Sequence, residues 1–398
     1  MAFLPFGSGK TVIRAGAGIF FDPISTRELV VAGVRVPPFF NVVSVNKPAF
    51  PNLFQAVQNA PPTKSLDMLD YNLPQPYVAQ FQFLVQQELA RDTVLQFGYA
   101  GSRGVHLAGQ LTEANPVTPQ ILPDGSLFFP ENGARLNPAF GQIRIRRTQF
   151  DSSYHGFQAG FERRWRGGVR SQVKYTWSKS LDDTSNAINK DFVNSDGTPT
   201  MFNYRLNRGR SDFDLRHTLG ANFSWALPRP RGAVAGRVLG GWELHGLVQA
   251  QTGPPFNPLV GFDRARMTGG GTTDPGERPM YVAAPGARVI LGDPQRWFDP
   301  NAFALPPAGM YGDLGRNGFD GPGLVTSDLA LHKVLWSSER QSVRLRVEAF
   351  NVANHPSFQI PSGLALFTSS LSRVGSAGQI TSTTTTSRQI QLALKWMF

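Results

Sequence analysis

Apolar and polar positions alternate along much of this chain. In "TSRQIQLALKWMF" (386–398), Ile390, Leu392, Leu394, Trp396 and Phe398 fall on one side, and Gln389, Gln391, Ala393, Lys395 and Met397 on the other. That is the two-residue period of a strand with one apolar face. The period recurs upstream. In "YHGFQAGFERRW", His155, Phe157, Ala159, Phe161, Arg163 and Trp165 oppose Tyr154, Gln158, Gly160, Glu162 and Arg164. In "VRSQVKYTWSKS", Val169, Val173, Tyr175 and Trp177 oppose Arg170, Gln172, Lys174 and Thr176. "QSVRLRVEAFNV" sets Val343, Leu345, Val347 and Ala349 against Arg344, Arg346 and Glu348. Similar windows cover 77–89, 216–227 and 241–252, and further strands are read at 11–21, 93–101 and 325–335. About ten strands result, with no amphipathic helix of any length.

Alternation alone does not separate a soluble sandwich, whose apolar faces meet, from a membrane wall. The connections discriminate. Residues 22–75, 102–153, 181–215, 253–324 and 353–387 are long, whereas "ARD", "RGG", "PRPRGAVAGR" and "SSERQ" between them are short or moderate. Loops longer than about 15 residues are uncommon in compact soluble domains. Five on alternate connections match outer-membrane barrels, which turn tightly on the periplasmic side and loop widely outside. The expected fold is therefore all-β, an antiparallel transmembrane β-barrel wall over 1–398. The final strand descends to the periplasmic rim, and its apolar face meets outer-membrane lipid.

Composition narrows the function classes. The chain contains no cysteine, which removes disulfides, zinc-thiolate centres and thiol catalysis. The net charge of +11 comes mainly from dispersed arginines, as in "IRIRR" and "VRLRVE", and not from a basic block. This argues against nucleic acid as a partner. No apolar run of about 18 residues is present, so no transmembrane helix is expected.

The order of several segments adds a family. "GKTVIRAGAGIFFDP" (9–23), "YVAQFQFLVQQELARDTVLQFGYAGSRGVHL" (77–107), "YTWSKSLDD" (175–183), "RGRSDFDLRH" (208–217), "GGWELHGLVQAQTGPPFNP" (240–258), "VRLRVEAFNVANHPSF" (343–358) and the terminal aromatic occur in sequence. Together they resemble the C-terminal part of TonB-dependent outer-membrane receptors, the Oar-like group in particular. The resemblance implies an outer-membrane barrel of about 22 strands, of which this chain holds the last ten. It also implies that the plug, the signal peptide and the first strands lie elsewhere, so that TonB would be met only through the absent plug. The implied function is uptake of a scarce ligand, of unknown identity, without enzymatic chemistry or a cofactor. The terminal strand, with Leu394, Trp396 and Phe398, resembles the signal read by the barrel-assembly machinery. The alternative is a small outer-membrane pore or a surface adhesin with binding loops and no active transport.

Other motifs have simpler readings. "GSGKT" (7–11) suggests a phosphate loop, but the first glycine of that motif falls on Leu4 and a strand follows. "SKSLDD" (178–183) is the top of a strand. Asp212 and Asp214, flanked by Arg208, Arg210 and Arg216, are expected to order a loop base. The six histidines have no metal-ligand spacing. The functional candidates are the lumen-facing Glu162, Arg164, Lys174, Arg344, Arg346, Glu348 and Lys395, with Arg344 or Arg346 expected to pair with Glu348 or another carboxylate. In the longest loop, Trp297, Phe298 and Tyr311 are candidate ligand contacts.

Overall fold

The computed structural model describes residues 9–24, 51–59, 65–165, 167–185, 200–268 and 276–398, with a few isolated positions between 2 and 63. Ten long strands run in chain order through one antiparallel sheet. They are β1 (Thr11–Phe21), β2 (Tyr77–Ala90), β3 (Thr93–Leu111), β4 (Ile143–Arg164) and β5 (Val169–Asp182). The others are β6 (His217–Ala226), β7 (Trp242–Gln251), β8 (Leu324–Ser337), β9 (Ser342–Phe350) and β10 (Gln389–Met397). Each pairs with the next, as consecutive hairpin strands do. The sheet does not close: among the described residues, β10 is bonded to β9 alone.

Register fixes the two faces, because residues directly opposite each other share a side. One row runs Val169, Trp225, Leu244, Leu331, Val347, Leu392 across six strands. The neighbouring row on the other face runs Arg164, Arg170, Ser224, His245, Ala330, Glu348, Gln391. The first row is apolar throughout and the second mostly polar. The apolar face packs against no second sheet: Phe81 is 40%, Phe157 41% and Leu392 72% exposed. The fully buried apolar side chains among the described residues, such as Phe129, Phe256, Phe298, Phe303 and Leu366, belong to the long connections or to strand tops. A soluble sandwich would bury its strand faces instead.

Trp165, Trp225, Trp242, Trp336 and Trp396, five of the seven tryptophans, sit at the ends joined by short turns. They form the interfacial belt expected at one water boundary. The tight turns use backbone that ordinary side chains resist: Asp92 has φ 63 between β2 and β3, and Gly167 and Gly168 have φ 92 and 83 between β4 and β5. Among the described residues, short helices lie in the connections at α1 (Leu53–Asn59) and α2 (Ala233–Val238).

One sequence expectation is corrected. The connection read as 102–153 is only 112–142, because β3 and β4 continue upward to Leu111 and from Ile143. The left-handed His106 (φ 54) and register shifts at Thr148/Phe150 and Phe150/Ser152 break the two-residue period there. A bulge moves side chains to the other face without ending the ladder. Spanning a bilayer takes about 9–11 residues, so these strands rise well beyond it. Their tops carry a parallel addition, Leu66–Leu69 on Ile143–Arg146.

Candidate functional site

The polar face defines the first candidate region. Glu162 stands opposite Gln172, Arg164 opposite Arg170, and Lys174 between Gly160 and Gly220. Arg344 stands opposite Lys395, Arg346 opposite His332 and Ala393, and Glu348 opposite Gln391. All seven therefore share one face of the wall. Near the short-turn end this face holds a hollow of about 540 Å³, lined by residues including Glu243, His332, Arg344, Arg346, Glu348 and Lys395. Arg346 Nη2 lies 2.7 Å from Glu348 Oε1. With Arg346 half-exposed the pair is worth at most about 1 kcal/mol. His245 and His332 bring their rings to 4.6 Å, and Glu243 Oε2 lies 3.6 Å from His245 Nε2. This histidine pair was not read from the sequence. Its members are 87 positions apart and meet only through the β7–β8 register. Among the described residues no group of three or more His, Asp or Glu stands close enough to hold a metal.

The second region is the folded set of long connections. Phe256, Phe298, Phe303, Leu314, Leu366 and Phe367 build an apolar core shared by 252–323 and 351–388. Phe298 is fully enclosed, its ring tilted against Phe256 (5.6 Å) and edge-on to Phe303 (5.9 Å). Tyr311 meets Phe129 edge-on at 5.5 Å, and its hydroxyl donates to Met267 Sδ at 2.8 Å. Burial pushes that hydroxyl well above its usual pKa. Phe298 and Tyr311 are thus packing residues here. Trp297 is partly exposed and donates Nε1–H to the Asp320 carbonyl at 3.0 Å.

Polar ties hold this cap to the wall. Arg316, 1% exposed, bonds the Asp182 carboxylate at the top of β5 and Asp212 Oδ1 at 3.0 Å. Asn317 donates to Asp212 Oδ1 at 2.7 Å, and Ser185 Oγ accepts from Arg316 at 2.8 Å. Asp214 accepts from the Ser180 backbone N–H at 2.6 Å and pairs with Arg210 at 2.7 Å. The Asp/Arg cluster of "RGRSDFD" does order a loop base. Its central cation, Arg316, was missed because it arrives from a loop more than 100 positions away. Burial raises the Asp212 pKa, which Arg316 and Asn317 only partly offset. Burial alone would lower that of Arg316, but Asp182 and Asp212 outweigh it and raise it.

An antiparallel wall with one exposed apolar face, one polar face, an aromatic belt and alternating short and long connections defines an outer-membrane β-barrel segment. The chain belongs to the family described as outer membrane beta barrel domain, whose model matches residues 1–391. Its location is accordingly the outer membrane. Comparison with curated protein sequences finds no match. Among solved structures it is similar to the outer membrane transporter YddB from Escherichia coli, at 11% identity and TM-score 0.52, covering 99% of this chain and 39% of that one. The FrpB iron transporter from Neisseria meningitidis aligns at 10% identity and TM-score 0.40, covering 99% of this chain and 37% of that one. FpvA from P. aeruginosa aligns at 10% identity and TM-score 0.40, covering 98% and 31%. The chain thus spans between 31% and 39% of the length of these three. At such identities the likeness speaks for the fold alone.

Proposed function

We propose that this chain is the C-terminal barrel portion of a TonB-dependent receptor that takes up a scarce ligand across the outer membrane. The observation that carries the reading is the open ten-strand wall with a charged lumen face and a folded outer cap. An open edge is not tolerated in hydrocarbon, so β1 and β10 need further strands to complete the wall. The outer membrane transporter YddB, more than twice this length and with a comparable wall, supports the same reading. In it, the lumen side chains Glu162, Arg164, Lys174, Arg344, Arg346, Glu348 and Lys395 face a plug domain, through which TonB would act. The Oar-like subgroup, and membership of a 22-stranded barrel, belong to this proposal. So does the role of Leu394, Trp396 and Phe398 as the segment read by the barrel-assembly machinery. Ligand contact at the cap falls to Trp297 and to the more exposed rings of Tyr281 and Phe213 (41% and 49%). Translating the encoding DNA upstream of Met1 in the same frame tests the reading. Further strands, a plug and a signal peptide are expected. A stop codon directly upstream would contradict it.

A further inference from the structure

A second surface, on the lipid side, is not used by this reading. Just above the apolar band, at the end bearing the long connections, His155 on β4 stands directly opposite Lys179 on β5 and Gly101 on β3. One step higher, Arg103 stands opposite Ser153. Arg103, His155 and Lys179 are exposed on the apolar face, not toward the lumen. Arg103 is held by Asp151 at 2.6 Å, which fixes its guanidinium near the patch. Lys179 has no ion pair or side-chain hydrogen bond among those of the described residues.

The shelf beneath these cations is aromatic and repeats itself. Tyr99 Oη lies 2.6 Å from His155 Nδ1, with the rings stacked at 6.2 Å. Tyr175 Oη lies 2.7 Å from His217 Nδ1, with the rings stacked at 6.0 Å. A histidine whose Nδ1 accepts from a tyrosine hydroxyl carries its proton on Nε2, where it can donate to a further group. Trp177, 54% exposed, and Phe157 lie in the next register row, between the two pairs. The outward patch is thus donors and cations above rings, with its acidic group, Asp151, already engaged by Arg103.

An ordinary interfacial belt explains the rings but not an unpaired lysine and an exposed histidine one row above them, with a second histidine, His217, beside Trp177 in the belt row itself. Cations held at headgroup depth attract anionic lipid, and a bare one there favours a phosphate. We infer that Arg103, His155, Lys179 and His217 form a docking site for the phosphorylated headgroup of a glycolipid in the outer leaflet, with Trp177 and Phe157 against its acyl chains. The occupant is a lipid because the patch faces the bilayer and continues directly into the apolar band.

Native mass spectrometry of the full chain, extracted from outer membranes in mild detergent and titrated with diphosphoryl lipid A, tests this. Saturable binding is expected, weakened about tenfold or more by H155Q/K179Q. R170Q removes one positive charge from the opposite face of β5 and should leave lipid A binding unchanged. Retention of the heat-modifiable gel mobility identifies variants that still fold. Equal binding by the double variant, equal binding of dephosphorylated lipid, or full competition by millimolar inorganic phosphate would each overturn the inference. Failure of the unaltered chain to bind would do the same. None of these readouts depends on transport or on TonB.

Discussion

Replacing Arg316 by methionine should loosen the outer cap far more than removing one of its acidic partners. The guanidinium is 1% exposed and lies between Asp182 and Asp212, whose side chains are 3% and 1% exposed. Methionine fills similar volume but leaves two buried carboxylates without a counter-charge. Losing one partner of a buried ion pair costs about 3–5 kcal/mol. At about 1.36 kcal/mol per tenfold, local opening rises roughly a hundredfold or more. Asp212→Asn acts differently. Burial has raised the Asp212 pKa, so its ionised form is disfavoured in the folded cap. The amide keeps the acceptor for Asn317 and leaves Arg316 paired with Asp182. D212N is expected to hold the cap within about 1 kcal/mol of wild type at neutral pH. The pH dependence follows. A carboxyl whose folded pKa is raised contributes stability that is fully present below its unfolded value, 3.8, and lost as pH rises through the folded value. Acidifying over that window should therefore steady the wild-type cap through Asp212, and D212N should lack that contribution. Hydrogen exchange reads these effects at the Ser211 and Asn317 amides, bonded to Ser180 O at 3.0 Å and Asn257 Oδ1 at 2.5 Å. The amides of β3 and β4 within the bilayer serve as the internal reference. Unchanged exchange in R316M, or equal acceleration in D212N and R316M, would refute the reasoning.

Other expectations follow from packing and from the two faces. Val173→Arg, on the lipid face opposite Phe161 and Ala221, should cost about 2–4 kcal/mol in urea unfolding from bilayers. Gln172→Arg, one residue away on the lumen face, should cost far less. Phe298→Ala removes a fully enclosed ring from the cap and should destabilise it by about 3–5 kcal/mol, read as faster exchange at Val260 and Phe367. Gly253→Ala would set a Cβ 1.8 Å from the Gly321 carbonyl oxygen. Backbone cannot yield there, so the Gly321 N–H to Pro254 bond should open, with protection lost locally and the wall unaffected.

The wall was legible because a strand between lipid and water must alternate, and "QSVRLRVEAFNV" or "TSRQIQLALKWMF" obeys that constraint residue by residue. Both faces and all ten strands follow from it. Legibility failed where another force sets the pattern. Above the bilayer, "GSRGVHLAGQL" continues β3 through a left-handed His106, so its period is lost while its hydrogen bonds persist. In the loops, aromatic rings carry no sign of their destination. Phe298 and Tyr311 suggest ligand contacts as readily as core, and only the fold shows them enclosed. Arg316, the His245–His332 pair and the outward Tyr–His pairs depend on partners brought together by topology, which local spacing does not encode.

The central claim is that one face of this sheet meets lipid and the other an aqueous lumen. The chain contains no cysteine, so single cysteines placed through β5 in outer membranes report without background. A water-soluble maleimide should label positions 170, 172, 174 and 176 and spare 171, 173 and 175, while a lipid-borne quencher should reach the second set alone. Equal labelling of both sets, or protection of the even positions with labelling of the odd ones, would contradict the account.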